Sequence, residues 1–202
     1  MNVRSRILAG MPKVSEEHWR AQEQRFLDAA RRCFTRVGIE AASMEEIRTE
    51  AEVSAGAMYR YFASKDDLVH AAIATSMAEF EQLVVDVGEC QGADTPSGYL
   101  RLLLTSLRQF RHHSGGVDLF RLAIQGWAHA QSRPETKTMI KASLKRQLRA
   151  YQKAAESWST TDNAPAAAIA IAGAVIGYVV QSAFSDSAID PARYSRGLSQ
   201  LA

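Results

Sequence analysis

Apolar residues recur along this chain with the period of a helix. Between Glu16 and Val37, the positions Phe26, Ala30, Cys33, Phe34 and Val37 fall on one helix face, and Gly38 follows as the usual helix stop. Ser43-Met44-Glu45-Glu46 opens the next segment as a capping box, in which Ser at the cap and Glu three residues later each satisfy an orphaned backbone donor. Met44 and Ile47 are its inward positions, and it runs only to about Ala51, because Val53-Ser54 starts another segment after a very tight turn. Ser64-Lys65-Asp66-Asp67 then caps a longer helix whose apolar positions are Leu68, Ala72, Met77, Phe80, Leu83, Val84 and Val87. The stretch from Gly88 to Gly98 reads as a loop. Beyond it the pattern predicts five helices, over 97–112, 117–131, 134–158, 164–184 and 191–201. Pro134, Pro165 and Pro191 sit at helix starts, where a missing N–H costs nothing. Alternating strand patterns and Asn-Gly or Asp-Gly turns do not occur. The fold class is all-α, with about nine helices.

Composition narrows the class further. Of 202 residues, 47% are hydrophobic and 23% charged, which excludes disorder over most of the length. A net charge of +2 is too mild to announce nucleic acid by itself. Cys33 and Cys90 lie far apart and in no ligand spacing, so a disulfide scaffold and a structural zinc fall away and a reducing, cytoplasmic compartment is expected. After Arg4 and Arg6 only a short apolar run precedes Pro12, too short for a secretory signal. The uncharged stretch from Asn163 to Ser185 is long enough to cross a bilayer. Its alanines and glycines, with Pro165 and Gln181, instead predict a helix buried on most sides in protein. No metalloprotease, nucleophile-elbow or phosphate-loop motif occurs, so no enzyme, metal or cofactor is expected.

The informative stretch is 43–65. Two short helices joined by about three residues must cross steeply, and the longer helix before them completes a three-helix cluster, the helix-turn-helix arrangement. The second helix, expected over 54–62, opens with Ser54, Ala55, Gly56 and Ala57. Nothing bulky or acidic there keeps its free N–H groups and positive dipole end from a phosphate. Tyr59 and Tyr61 supply phenol donors, Arg60 can donate to guanine in bidentate fashion, and Lys65 can meet a phosphate. Met58 and Phe62 are core positions, holding this helix onto Phe34 and Ile47, and Cys33 is a small buried hydrophobe. The same geometry also serves as plain packing in all-α proteins.

Glu46-Ile47-Arg48-Thr49-Glu50-Ala51-Glu52-Val53-Ser54-Ala55-Gly56-Ala57-Met58-Tyr59-Arg60-Tyr61-Phe62-Ala63-Ser64-Lys65-Asp66-Asp67-Leu68 resembles the DNA-binding signature of the TetR family of transcriptional repressors, a likeness covering about residues 17–70 with the preceding helix. The resemblance implies a homodimer that binds a near-palindromic operator in double-stranded DNA and is released by a small molecule in its C-terminal domain. Residues 1–66 are then a helix-turn-helix DNA-binding domain with a basic N-terminal arm, and 67–202 a regulatory ligand-binding and dimerisation domain. Turn signals mark a boundary in the Gly88–Gly98 loop, and the helix over 64–87 runs continuously between the domains. The candidate DNA contacts are Ser43, Ser54, Ala55, Gly56, Ala57, Tyr59, Arg60, Tyr61 and Lys65. Glu52 stands where the family usually has Gly; a left-handed backbone there costs on the order of 1 kcal/mol, and its carboxylate would stand near the phosphates. Ala55 stands where a basic residue is common. Arg60, Lys65, Arg48 and the arm, with Arg4, Arg6 and Lys13, must then carry the electrostatic term. Met11-Pro12-Lys13-Val14-Ser15 also resembles how many such proteins begin, so translation is expected to start at Met11.

In the second domain, the run from Ile124 to Glu135 resembles, more loosely, a pattern of the family's regulatory domains, and identifies no ligand. Phe110, Phe120, Ile124, Trp127, Met139, Leu144 and Tyr178 are expected to line a cavity between helices, with Gln125, Ser143 and Gln147 as polar contacts and a largely apolar effector. His112-His113 suit a helix C-terminus rather than a metal. Ala166, Ala170, Gly173, Ala174 and Gly177 form a small-residue face; with the 191–201 helix it reads as half of a four-helix dimer interface. The expected function is a ligand-responsive transcriptional regulator, a repressor, whose effector shifts the 64–87 helix and the spacing of the two heads. The alternative, favoured by Glu52 and Ala55, is an all-α homodimeric small-molecule or partner-binding module that no longer binds DNA.

Overall fold

A computed structural model describes residues 13–113, 117–159 and 162–199. The N-terminal arm with Arg4, Arg6 and Met11, and the side chains of Lys13, His112 and His113, lie outside the described residues. Nine helices run through these residues: α1 Lys13–Val37, α2 Met44–Glu50, α3 Ala55–Tyr59, α4 Lys65–Gly88, α5 Pro96–His113, α6 Leu119–Ala130, α7 Pro134–Ala155, α8 Ala164–Phe184 and α9 Pro191–Ser199. The chain packs as two compact units, the first ending at Ala72 and the second beginning at Ile73, so α4 takes part in both.

In the first unit, Phe26, Ala30, Cys33 and Phe34 of α1 are fully buried. Val37, expected on the same face, is the last helical residue, lies at its rim and is 40% exposed. Gly38 follows at φ +94, a left-handed turn that glycine takes without strain, and its N–H returns to Phe34 O at 2.9 Å. The capping box of α2 is formed in full: Ser43 N–H donates to Glu46 Oε2 at 2.8 Å and Glu46 N–H to Ser43 Oγ at 3.1 Å. Ile47 is buried, while Met44 is only half-buried. The helix expected over 54–62 is shorter, because the chain tightens after Tyr59 and both Tyr61 and Phe62 donate to Met58 O. Met58 and Phe62 are buried as expected.

In the second unit, Val84 and Val87 of α4 join Tyr99, Leu103, Leu104, Phe120, Tyr151 and Tyr178 in one core. Asp118 caps α6, accepting from the Phe120 and Arg121 N–H groups. Arg111 donates to Asp118 at 3.0 Å and to Ser182 O at 3.3 Å, and its guanidinium lies 4.8 Å from the centroid of the Phe120 ring. One cation thus ties α5 to the start of α6 and the end of α8. Burial alone would push the Asp118 carboxyl up, but Arg111 and the two N–H donors hold it below its ordinary value.

Helix α8 departs from expectation. It is long and apolar enough to cross a membrane by length and composition, yet only 33% of its most apolar stretch is buried. Ala168, Ile171, Val175, Tyr178 and Val179 face the core, whereas Ala166, Ile169, Ala170, Gly173 and Ile176 are exposed. Gly177 belongs to neither set. A Cβ there would lie 2.9 Å from the Tyr194 hydroxyl, which donates to Ala174 O at 3.1 Å, so this glycine admits α9. Gly177→Ala is therefore expected to lower the melting temperature by an overpacking cost of about 1–3 kcal/mol. In a Tyr194→Phe background the same change should raise it, since Ala is the better helix former by about 1 kcal/mol. Thermal melts of the four variants check that reversal.

Candidate nucleic-acid interface and apolar cavity

The turn between α2 and α3 is held from both sides. Glu52 N–H donates to Thr49 O and Val53 N–H to Arg48 O, while Arg48 Nη1 donates to Val53 O at 2.9 Å and Nε to Glu45 at 2.9 Å. Arg48, expected to face phosphates, thus spends its guanidinium on the turn. Glu52 adopts φ 54, the only left-handed non-glycine conformation among the described residues. Its carboxylate pairs at 3.3 Å with Arg25, both side chains being open to solvent. The last acid of α2 is also answered: Glu50 accepts from Arg32 at 2.7 Å and Arg36 at 3.3 Å, the Arg32 hydrogen bond foremost in holding its carboxyl below the ordinary value.

Ser54 caps α3, its Oγ accepting from Ala57 N–H at 3.3 Å. Ser54, Ala55, Gly56, Tyr59 and Arg60 are exposed and Ala57 half-buried; a Cβ on Gly56 would meet nothing within 4 Å. Behind this bare surface, Phe26 meets Phe62 edge-on at 6.3 Å and Tyr61 at 5.0 Å, and Tyr61 stacks on Trp19 at 4.0 Å. The two tyrosines therefore divide: Tyr59 is 55% exposed, while Tyr61 commits its ring to the core edge, where burial pushes its phenol up. Ser43 spends its hydroxyl in the capping box, exchanging hydrogen bonds with Glu46. Lys65 Nζ donates to Glu40 O at 2.7 Å, tethering the start of α4 and leaving two donors of its ammonium for another partner. Trp19 was legible but unread: it lies seven residues before Phe26, on the same helix face.

The second unit holds a partly open cavity of about 120 Å³. Of the candidates, Phe110, Phe120, Trp127, Leu144 and Gln147 line it; Ile124, Gln125, Met139, Ser143 and Tyr178 do not. On α6 and α7 the miss is one of helical phase, since the neighbours Ala123, Gly126 and Ile140 turn to the cavity instead. Tyr178 is held in the core, donating to Ile189 O at 3.0 Å. Ser143 donates to Glu81. The wall supplied by α4, with Ile73, Ser76, Met77 and Phe80 at i, i+3, i+4 and i+7, was not anticipated as cavity, because periodicity alone does not separate core from lining. A Cβ on Gly126 would come within 3.4 Å of Ile73, so α6 lies close against α4 here.

Ser76, Tyr151 and Gln147 bring polar atoms to this wall, and Gln147 belongs to a relay. Gln147, buried, donates from Nε2 to Ser143 Oγ at 3.1 Å, and Arg146 grips the Glu81 carboxylate with two donors at 2.7 and 2.9 Å. Burial works against the Glu81 charge, but Arg146 and Ser143 together hold its carboxyl below the ordinary value. No cluster of three or more His, Cys, Asp or Glu suited to a metal occurs among the described residues.

The sequence model of bacterial regulatory proteins, tetR family, matches residues 26–72. The HTH-type transcriptional repressor Rv1474c of Mycobacterium tuberculosis is 41% identical over 61 residues, 30% of this chain and 33% of that protein, so this match spans about a third of the repressor's length. The HTH-type transcriptional regulator YfiR of Bacillus subtilis is 27% identical over 160 residues, 79% of this chain and 78% of that one. Among solved structures, the transcriptional regulator FadR of Bacillus subtilis, in complex with stearoyl-CoA, superposes with a TM-score of 0.68 at 20% identity, covering 88% of this chain and 96% of that one. At that identity the likeness carries the fold.

The left-handed Glu52 yields a direct test. Glu52→Gly is expected to stabilise the first unit by about 1 kcal/mol, because the exposed pair with Arg25 contributes little; urea unfolding of the two proteins reads the difference.

Proposed function

The chain belongs to the tetR family of bacterial regulatory proteins, and we propose that it is a ligand-responsive transcriptional repressor of the cytoplasm. On this reading it binds a near-palindromic operator as a homodimer and releases it when a small molecule fills the cavity of the second unit. The observation that carries the proposal is the surface of Ser54, Ala55, Gly56, Tyr59 and Arg60: exposed, free of acids, and backed by buried Met58 and Phe62. Backbone N–H groups and Ser54 can position phosphates there, while Tyr59 and Arg60 reach base edges in the major groove. Five residues give α3 little dipole, so side chains carry the electrostatic term.

The dimer is assigned to the outer face of α8. Ile169 and Ile176 are 66% and 40% exposed on a helix without a charged residue, with exposed Ala166, Ala170 and Gly173 alongside them. Small residues let a second helix approach closely, and the isoleucines supply apolar area. Signalling is assigned to α4, which places Ile73, Met77 and Phe80 at the cavity and begins at Lys65 within the first unit. A ligand acts only if it prefers one position of that helix, since equal affinity for both shifts nothing. The name of Rv1474c as a repressor and the ligand held by FadR support this reading. The second reading, a dimeric small-molecule or partner-binding module without DNA, has in its favour the acid at Glu52 and the missing cation at Ala55.

Selection from random duplexes separates the two: a repressor enriches a palindromic, salt-sensitive site, and the module enriches none. On the selected site, Arg60→Ala should weaken binding by about 1–3 kcal/mol and relax the sequence read at one position of each half-site; equal binding by the variant in a gel shift contradicts the assignment. Ile169→Glu should move the sedimenting mass from two chains to one and reduce operator binding with it. A variant that stays dimeric places the interface elsewhere.

A further inference from the structure

We infer that the cavity of the second unit takes a compact, uncharged, ring-sized molecule bearing a single hydrogen-bonding group, and that Gln147 reads that group. The inference rests on the cavity's being the effector site and goes further by naming the ligand's chemistry. Size comes first. An apolar cavity of about 150 Å³ holds a benzene-sized guest, and this one measures about 120 Å³. Shape and charge follow from the wall. Phe80, Phe110, Phe120, Trp127 and Tyr151 present aromatic surface, which suits a ring edge-on or offset. No charged residue lines the cavity among the described residues. The nearby carboxylate, Glu81, already accepts from Arg146 and Ser143. A charged ligand would lose its water and gain no counter-charge.

Ser76, Tyr151 and Gln147 are lining residues with polar side-chain atoms, and the hydrogen-bonding group is assigned to Gln147, whose amide offers both a donor and an acceptor. Gln147 is buried, and one of its two amide N–H bonds goes to Ser143 Oγ. Its carbonyl oxygen and its second N–H are engaged by no other described residue, so a ligand hydroxyl or ring N–H finds an acceptor there. Burial keeps the Tyr151 phenol protonated, so no negative charge develops on that side. Ser143 joins Gln147 to Glu81 on α4, and occupancy at Gln147 therefore bears on the helix that also supplies Ile73, Met77 and Phe80 to the wall.

The test uses the full chain with toluene, p-cresol, benzoate and decanoate as probes, read by calorimetry. Toluene and p-cresol are expected to bind; benzoate and decanoate are expected to bind at least roughly tenfold more weakly than p-cresol. Gln147→Met, which keeps the volume, should weaken p-cresol by roughly three- to tenfold and leave toluene unchanged. Should that variant not fold, Leu144→Trp, which fills the cavity, should abolish binding of both neutral probes. The inference is overturned if benzoate or decanoate binds as tightly as p-cresol, if neither neutral probe binds, if Gln147→Met weakens both equally, or if Leu144→Trp retains them. Operator release is scored separately. A neutral probe that binds without releasing DNA counts against the regulator reading and leaves the inference standing. Release by a charged or long-chain molecule, with neither neutral probe bound, does the reverse.

Discussion

A helix of five residues cannot hold its own shape. Nucleation fixes several dihedrals before the hydrogen bonds offset the entropy, so α3 exists only because something else fixes it. That constraint organises the first unit. Met58 of α3 and Phe62 just beyond it are driven into the core, Phe26 meets Phe62 and Tyr61 edge-on, and Trp19 closes over Tyr61. At the other end, Arg48 clamps the Val53 carbonyl and so fixes where α3 begins. With every anchor on one side, Ser54, Ala55, Gly56, Tyr59 and Arg60 remain for a partner. The rigidity that aims this surface is supplied by residues that never touch the partner.

The charges of the first unit follow the same economy. Helix α2 carries Glu45, Glu46 and Glu50, an unpromising neighbour for a polyanion. Four of the arginines that make the chain mildly basic are spent on these acids and on Glu52 in the turn: Arg48 holds Glu45, Arg32 and Arg36 hold Glu50, and Arg25 reaches Glu52. The pairs at the surface contribute little stability; their consequence is electrostatic, in that each carboxylate has a counter-charge beside it. The second unit applies the principle inside out. Glu81 is held by Arg146 and Ser143, so an apolar cavity sits beside a carboxylate without inheriting its field.

Much of this was legible in the sequence, and the misses share a cause. Helix positions and the capping box at Ser43 and Glu46 are local, set by residues within one or two turns of each other, and the left-handed Glu52 was suggested by the glycine usual at that place in the family it resembles. Positions whose role depends on a distant partner were harder. Tyr61 and Tyr59 are chemically alike, and only Trp19, more than forty residues away, makes one a core residue and the other a surface one. Arg48 and Lys65 read as free cations until Val53 O and Glu40 O are seen to receive them. In the cavity, Met139 and Ile140 differ by one step of 100° about a helix axis, finer than a hydrophobic pattern resolves. Gly177 looked like part of an outward small-residue face and is instead the seat of Tyr194.

Gly56→Asp tests the central claim most directly. The site is exposed and a Cβ there meets nothing within 4 Å, so the fold should not register the change; an acid in the first turn of a helix is, if anything, stabilising. The account predicts an unchanged thermal melt and, in fluorescence anisotropy at low salt, loss of duplex binding by at least roughly tenfold as carboxylate and phosphates repel. Undiminished binding by a folded Gly56→Asp chain would contradict it.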